Sequence, residues 1–184
     1  MVPRSLATLS LLLTLVLTLA GCATPPDPSR PTAPPAPALA LESFFPGRTT
    51  GDGVFTNAIT GAQRRFAVVI DGTWDGRTLT LVEDFRYADG ETDRKTWRLE
   101  RTGPGTFTGF REDVVGTARA WTEGDAVRLA YTVQLGGWTV DFADLLELRP
   151  DGSLLNRAVV GKWGLRVGRV ELVLRREPAP ASGS

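Results

Sequence analysis

The chain has no histidine and a single cysteine, Cys22, among its 184 residues. Histidine is the commonest metal ligand and the side chain that most often acts as a general base near neutral pH. A lone cysteine has no disulfide partner within the chain and cannot by itself build a zinc or iron–sulfur site. These absences argue against thiol enzymes and zinc hydrolases, and we expect no metal site and no cofactor.

The sequence also lacks the short motifs of common enzyme classes and any excess of one charge. It contains neither a Gly-x-Ser-x-Gly elbow nor a phosphate-binding Gly-Lys-Ser/Thr loop. Basic and acidic residues balance at 21 each, without the basic stripe that is typical of nucleic-acid binding. We therefore predict no catalytic residues, no enzyme and no nucleic-acid partner.

What the chain does have at its amino terminus is the layout of a secretion signal over residues 1–21. A head carrying Arg4 precedes an apolar run of 14 residues, positions 6–19. As a helix this run spans about 21 Å, which is short for a bilayer core of about 30 Å. A positive head, a short apolar middle and small residues at the end indicate export. The last residues match the bacterial lipobox, with Leu19, Ala20 and Gly21 directly before Cys22.

Cys22 is therefore predicted to begin the mature protein and to carry a lipid. Its thiol supplies the thioether to a diacylglycerol, and two or more acyl chains make a lasting anchor where one holds only marginally. The next residue is Ala23 rather than the aspartate associated with retention in the inner membrane. We expect a lipoprotein anchored in the outer membrane and facing the periplasm.

Composition divides the rest of the chain into three parts. Residues 22–40 are predicted to be the lipidated cysteine and a tether, because seven prolines between positions 23 and 40 disfavour helix. Residues 41–177 suit one domain with its own core. Residues 178–184 are predicted to be a disordered tail.

The predicted domain is β throughout, since glycine-containing turns separate segments of alternating polarity. Asp-Gly pairs are typical of hairpins because glycine accepts positive φ at little cost. We predict an all-β, antiparallel up-and-down barrel, lipocalin-like, of about 8–10 strands, with a β-sandwich as the alternative. A helical turn at 41–45 would cap one end. The turn pairs are Asp75-Gly76, Asp89-Gly90 and Asp151-Gly152, and one strand has Leu79, Leu81, Phe85 and Tyr87 on one face.

Several short strings, taken together in this order and spacing, resemble a family of bacterial lipoproteins described only as a domain of unknown function. The resemblance extends from about Leu41 to Arg175 and implies export, lipidation and a lipocalin-like barrel, without an established activity. The strings are Arg65-Phe66, Gly72-Thr73-Trp74, Glu83-Asp84-Phe85, Asp89-Gly90, Trp97, Asp113-Val114-Val115-Gly116, Tyr131, Asn156-Arg157-Ala158, Lys162 and Gly164.

Glu83 is the acidic residue that the pattern singles out, because it shares a face with the apolar residues of its strand and should point into the barrel. A buried carboxylate must be paired or neutral. Arg157, Arg169 and Lys162 are the expected partners. Glu83 would then close the barrel with a salt bridge, anchor a ligand's head group or take part in catalysis. The candidate ligand-binding residues are Glu83, Phe85, Trp97, Tyr131, Trp138, Asn156, Arg157 and Lys162.

Three functions remain open from the sequence. The first is a barrel that binds or carries a small apolar or amphiphilic ligand, such as a fatty acid or lipid. The second is a structural or assembly lipoprotein with a filled barrel that binds a protein partner. The third is a carboxylate-dependent enzyme, for which Glu83 and Asp144 are one candidate cross-strand pair. A cavity would separate the first two, and converging acids in an open pocket would favour the third.

Overall fold

The computed structural model describes residues 38–178, so the lipobox, Cys22, most of the predicted tether and positions 179–184 lie outside the described residues. Residues 38–178 form one short helix and ten antiparallel strands that close into a barrel. The predicted all-β barrel is confirmed, and the sandwich alternative is wrong. The elements are α1 (Leu41–Phe44), β1 (Gly47–Asn57), β2 (Gln63–Trp74), β3 (Thr78–Tyr87), β4 (Thr92–Gly103), β5 (Thr106–Phe110), β6 (Val114–Glu123), β7 (Ala126–Leu135), β8 (Trp138–Leu148), β9 (Leu154–Lys162) and β10 (Leu165–Arg176).

Each strand pairs with its neighbours in sequence, and the first strand pairs with the last. In that closing pair Gly51 lies opposite Leu174 and Phe55 opposite Val170. An eight-stranded barrel is just wide enough for its own side chains to fill it, so ten strands leave additional space inside. None of the helices within residues 38–178 has the length and apolar character needed to cross a membrane.

Tight turns join the strands where the sequence predicted them. At the β2–β3 turn the Asp75 carboxylate accepts hydrogen bonds from the backbone N–H groups of Arg77 and Thr78, at 2.8 and 2.6 Å. Gly76, between Asp75 and Arg77, has a φ of 98°, in the region that glycine tolerates best. Short hairpins of this kind give the barrel its up-and-down order.

The helical turn predicted at 41–45 closes one end of the barrel. Leu41, Phe44 and Phe45 are all buried there. Leu39 is buried as well, and its N–H donates to the carbonyl of Asp125 at 2.9 Å, which ties the segment to the β6–β7 turn. We call residues 39–45 the plug.

The plug fits because β2 has a glycine where it passes. A Cβ at position 72 would lie 2.1 Å from the carbonyl oxygen of Phe45. Glu42 of the plug forms an ion pair with Arg101 of β4, whose guanidinium lies 4.7 Å from the ring centre of Trp74. Gly72 and this ion pair therefore fix the plug at the end where β2 finishes.

Candidate ligand-binding site

The barrel encloses a cavity of about 580 Å³. It extends from Leu41 and Phe45 of the plug to Asn57, Asp113 and Leu135 near the opposite end, where the cavity opens. We call that end the mouth; it is formed by the β1–β2, β3–β4, β5–β6, β7–β8 and β9–β10 turns. The volume lies within the range of small-molecule sites in proteins, and the wall is mainly apolar. The second function required a barrel that is filled by its own side chains, and this barrel has a cavity instead.

Aromatic side chains line the cavity in two places, one on each side. The ring of Tyr131 stacks on Phe142 with 5.0 Å between centroids and meets Trp97 edge-on, also at 5.0 Å. On the other side Phe66 packs against Phe85 at 5.8 Å. These rings point inward because they occupy alternate positions on strands whose other face is exposed to solvent. They give the cavity flat apolar surfaces.

A group of ionisable side chains lies within this apolar wall. Arg111, from the β5–β6 turn, reaches inward over the ring of Trp97, 4.7 Å from its centre. Its Nε donates to Oδ1 of Asp113 at 2.6 Å, and its Nη1 lies 3.9 Å from Oε2 of Glu83. The expected partners of Glu83 were Arg157, Arg169 and Lys162; the structure instead gives it Arg111.

Asp144 lies on β8 and is 5% exposed. The Nδ2 of Asn156 donates to its Oδ2 at 3.3 Å, across the β8–β9 pair. Within residues 38–178, Oδ1 of Asp144 and Oδ1 of Asn156 have no hydrogen-bond partner although both atoms are buried. Both side chains line the cavity.

Burial raises the pKa of both inward carboxyls. The pKa of Glu83 rises to about 7, against the opposing effect of Arg111 and with a further rise from the charge of Asp144. The pKa of Asp144 also rises to about 7 through burial, although Asn156, Arg111 and Tyr131 lower it. β3 and β8 are not neighbours in the sheet, so the two acids interact through the cavity rather than as a cross-strand pair. Each carboxyl therefore has a pKa near neutral pH, and the charge of Asp144 contributes to the raised pKa of Glu83.

The other basic groups on the cavity wall are already paired. Arg64 donates to Asp89 at 2.8 Å and also pairs with Glu91. Lys95 lies 3.2 Å from Asp93 and 3.5 Å from Asp113. With Arg111 held by Asp113 and Glu83, each basic side chain that lines the cavity in residues 38–178 has an acidic partner.

Five of the eight sequence-predicted ligand residues line the cavity and three do not. The three are Trp138, Arg157 and Lys162. Arg157 lies on the outer face, paired with Glu147, because its neighbour Asn156 faces inward. Trp138 and Lys162 lie at strand ends on the rim of the mouth, where the Lys162 Nζ is 3.3 Å from the centre of the Trp138 ring. The five that line the cavity are Glu83, Phe85, Trp97, Tyr131 and Asn156.

The rim of the mouth is aromatic on the side of β7 to β10. Trp138 is 55% and Trp163 80% exposed, and their rings meet edge-on at 5.9 Å. Trp163 has a φ of 53° and is the one residue other than glycine with positive φ in residues 38–178. Leu135 of the same rim also lines the cavity, so apolar surface continues from the rim into the interior.

Arg111 and Asp144 are central to the site but were not among the ligand-binding residues predicted from sequence. Arg111 precedes β6 in a turn, where no alternation shows the direction of a side chain. Asp144 could have been found, because it continues the inward series of Val140 and Phe142 on β8. No group of three or more Asp, Glu, His or Cys residues in the described part of the chain could hold a metal ion.

Comparison with known proteins bears on the fold and the family. Residues 16–176 match the profile of a family described as a protein of unknown function, DUF3833. No curated protein matches the chain. The S-type phycobiliprotein lyase CPES from Guillardia theta has a similar structure, with 9% identity, a TM-score of 0.54, and coverage of 77% of this chain and 95% of the lyase. At that identity the likeness shows a shared fold alone.

A de novo designed fluorescence-activating β-barrel is also similar, with 12% identity and a TM-score of 0.42 over 76% of this chain and 99% of the design. A redesigned β-barrel bound to DFHBI has 12% identity and a TM-score of 0.40 over 73% of this chain and 97% of its own. Scores this low support no argument about this protein.

Proposed function

The chain belongs to the DUF3833 family, as its resemblance to a family of unknown function predicted. Because that family has no established activity, we propose a function from the cavity: the barrel binds a small apolar or amphiphilic molecule. The observation that carries this proposal is a cavity of about 580 Å³ between the plug and an open mouth, with a mainly apolar wall. A ligand that fills an apolar cavity of this size is stabilised by dispersion contacts with the wall and by its loss of contact with water. Fatty acids and other lipids are the molecules first expected from sequence; their apolar chains suit this wall, whereas the head group that binds depends on the polar side chains inside the cavity.

The test is to identify what the purified protein holds. The chain from position 22, with Cys22→Ser and a cleavable signal peptide, would be taken from the periplasm and analysed by native mass spectrometry and organic extraction. We expect a discrete added mass that extracts as an apolar molecule. A clean protein mass, with no uptake from a mixed lipid extract, would contradict the proposal and favour a surface that binds a protein partner.

The proposed setting of this activity is the periplasmic face of the outer membrane, through a lipid on Cys22. The support is the lipobox Leu19-Ala20-Gly21-Cys22 and the proline-rich segment behind it. We expect the wild-type protein to sediment with membranes and to incorporate a labelled fatty acid. The Cys22→Ser variant should lose the label, and persistent labelling of that variant would place the lipid elsewhere.

A second candidate function is acid–base catalysis, and the two inward carboxyls favour it. Glu83 and Asp144 line one open cavity and have a pKa of about 7, the range in which one acid can donate a proton while another accepts. The extraction experiment separates the two functions. A carrier returns the ligand unchanged after incubation, whereas an enzyme converts it, and Glu83→Gln and Asp144→Asn would both stop the conversion.

A further inference from the structure

We propose that the ligand of this cavity has a hydrogen-bond donor at its polar end, a hydroxyl or an N–H group, which binds Asp144 and Asn156. The inference rests on the proposed function, since it presupposes that the cavity holds a small molecule with an apolar body. The inference specifies the polar end of that molecule, and it predicts that a ligand with a carboxylate head group binds less tightly than one with a donor.

The first argument is that two buried oxygen atoms have no hydrogen-bond partner, although the side chain of Tyr131 favours the ionised form of Asp144 and lowers its pKa. Oδ1 of Asp144 and Oδ1 of Asn156 are both buried and lack a hydrogen-bond partner within residues 38–178. Leaving a buried acceptor unpaired is costly, and native proteins pair the large majority of such atoms. Because both side chains line the cavity, a molecule inside it can supply the missing donor.

The second argument is that the cavity offers no free positive charge to an anion. Arg64, Lys95 and Arg111, the basic groups that line it in the described chain, are each held by carboxylates. A carboxylate ligand would have to break one of these pairs or lie beside Glu83 and Asp144, which already disfavour each other's charge. A hydroxyl or N–H group meets no such opposition.

The third argument is the space around the acceptors. Asp144 lies opposite Ala158 in the β8–β9 pair, and Ala158 also lines the cavity, so a small side chain leaves room next to the carboxyl. The stacked rings of Phe142 and Tyr131 adjoin the same stretch of β8. A ligand can thus place its donor at Asp144 and its apolar body against these rings.

The test compares three molecules with the same alkyl chain: 1-decanol, decylamine and decanoate. Each would displace a fluorescent apolar dye from the exported Cys22→Ser protein, which begins at position 22, at pH 8, where decanoate is ionised. A hydrogen bond to a charged group contributes enough that we expect 1-decanol and decylamine to displace the dye at concentrations about tenfold or more below that of decanoate. Equal or stronger displacement by decanoate would overturn the inference and leave the proposed function standing.

Substitutions on β8 test whether Asp144 causes the preference for 1-decanol over decanoate. Asp144→Leu should reduce the advantage of 1-decanol over decanoate to less than about threefold, given the loss of the acceptor. Asp141→Leu, on the outer face of the same strand, should leave the advantage unchanged. If Asp144→Leu keeps the full preference, the donor site lies elsewhere and the inference is wrong. Should Asp144→Leu not fold, the wild-type comparison still decides. If neither the dye nor any of the three molecules binds, the proposed function itself fails.

Discussion

Glu83 and Asp84 are adjacent residues of β3 whose carboxyl groups are in opposite environments. Asp84 faces solvent and accepts two hydrogen bonds from Arg94, at 2.6 and 2.8 Å, which lower its pKa. Glu83 faces the cavity, and burial raises its pKa to about 7. The two-residue period of a strand creates this difference. The chemistry of an acid in this barrel therefore depends on which face its position occupies.

The raised pKa of Glu83 predicts how the stability of the fold depends on pH. The folded protein holds the Glu83 proton up to about pH 7, whereas the unfolded chain releases it near the ordinary value of 4.5. The free energy of unfolding should therefore fall as pH rises between these values. Glu83→Gln removes this effect, so the variant should be more stable than wild type at pH 8. The gain should be on the order of 1 kcal/mol, below the roughly 3 kcal/mol that the full shift implies, because Arg111 loses a partner.

Urea denaturation at pH 4.5, 6 and 8 measures this difference. Asp84→Asn is the matched control, since it removes a neighbouring acid from the outer face; it should be slightly less stable than wild type at pH 8. A Glu83→Gln variant with the same pH slope as wild type would show that Glu83 is solvated in the folded protein.

At the scale of elements, the plug depends on one strand glycine. Gly72→Ala places a methyl group 2.1 Å from the carbonyl oxygen of Phe45, so residues 39–45 must move away from β2. Such overpacking typically costs about 1–3 kcal/mol, which we expect as the loss in the free energy of unfolding. The amide hydrogen of Leu39, bonded to Asp125, should also exchange faster.

Gly161→Ala provides the comparison for this prediction. Gly161 is also a strand glycine, but a Cβ there would have its nearest neighbours at 3.8 Å, in ordinary contact. We expect that variant to be as stable as wild type or slightly more stable, as alanine costs less backbone entropy than glycine. Equal effects of the two substitutions would mean that the plug does not pack against β2.

The strands and their inward faces could be predicted from sequence because they follow from alternation and turn residues. Leu79, Leu81 and Phe85 all line the interior, as the period of two required. The direction of Arg111 could not be predicted, since it lies in a turn and reaches Glu83 of β3 past the intervening strand β4, a contact that alternation along one strand does not give. Arg157 was predicted to bind ligand but lies on the outer face, paired with Glu147. Arg157 and Asn156 are adjacent on β9, and adjacent strand residues cannot both face inward, so alternation excludes one of the two from the cavity.

For the whole molecule, closure by ten strands produces space that the side chains leave open. The sequence left a filled and an open barrel undecided, because the volume of the interior depends on strand number and on the sum of inward side chains. Stability and binding should then oppose each other: side chains that fill the cavity would strengthen the fold and exclude the ligand.

Ala158→Leu tests this opposition. Ala158 is 4% exposed and lines the cavity, so a larger apolar side chain can enter free space beside Asp144. We expect the free energy of unfolding to rise by about 1 kcal/mol without ligand, while the affinity for the apolar dye falls about tenfold or more. Denaturation and dye titration on the same preparation measure both quantities.

Ala120→Leu is the counterpart in a packed part of the barrel. Ala120 is 2% exposed, lies opposite Phe107 in the β5–β6 pair and does not line the cavity. An added isobutyl group there must displace its neighbours, at a cost of about 1–3 kcal/mol. If Ala158→Leu destabilises the protein as much as Ala120→Leu does, the interior beside β9 is packed in solution, and no ligand-sized space exists there. A gain at position 158 together with a loss at position 120 means that the open volume is a property of the folded barrel, kept at the expense of stability.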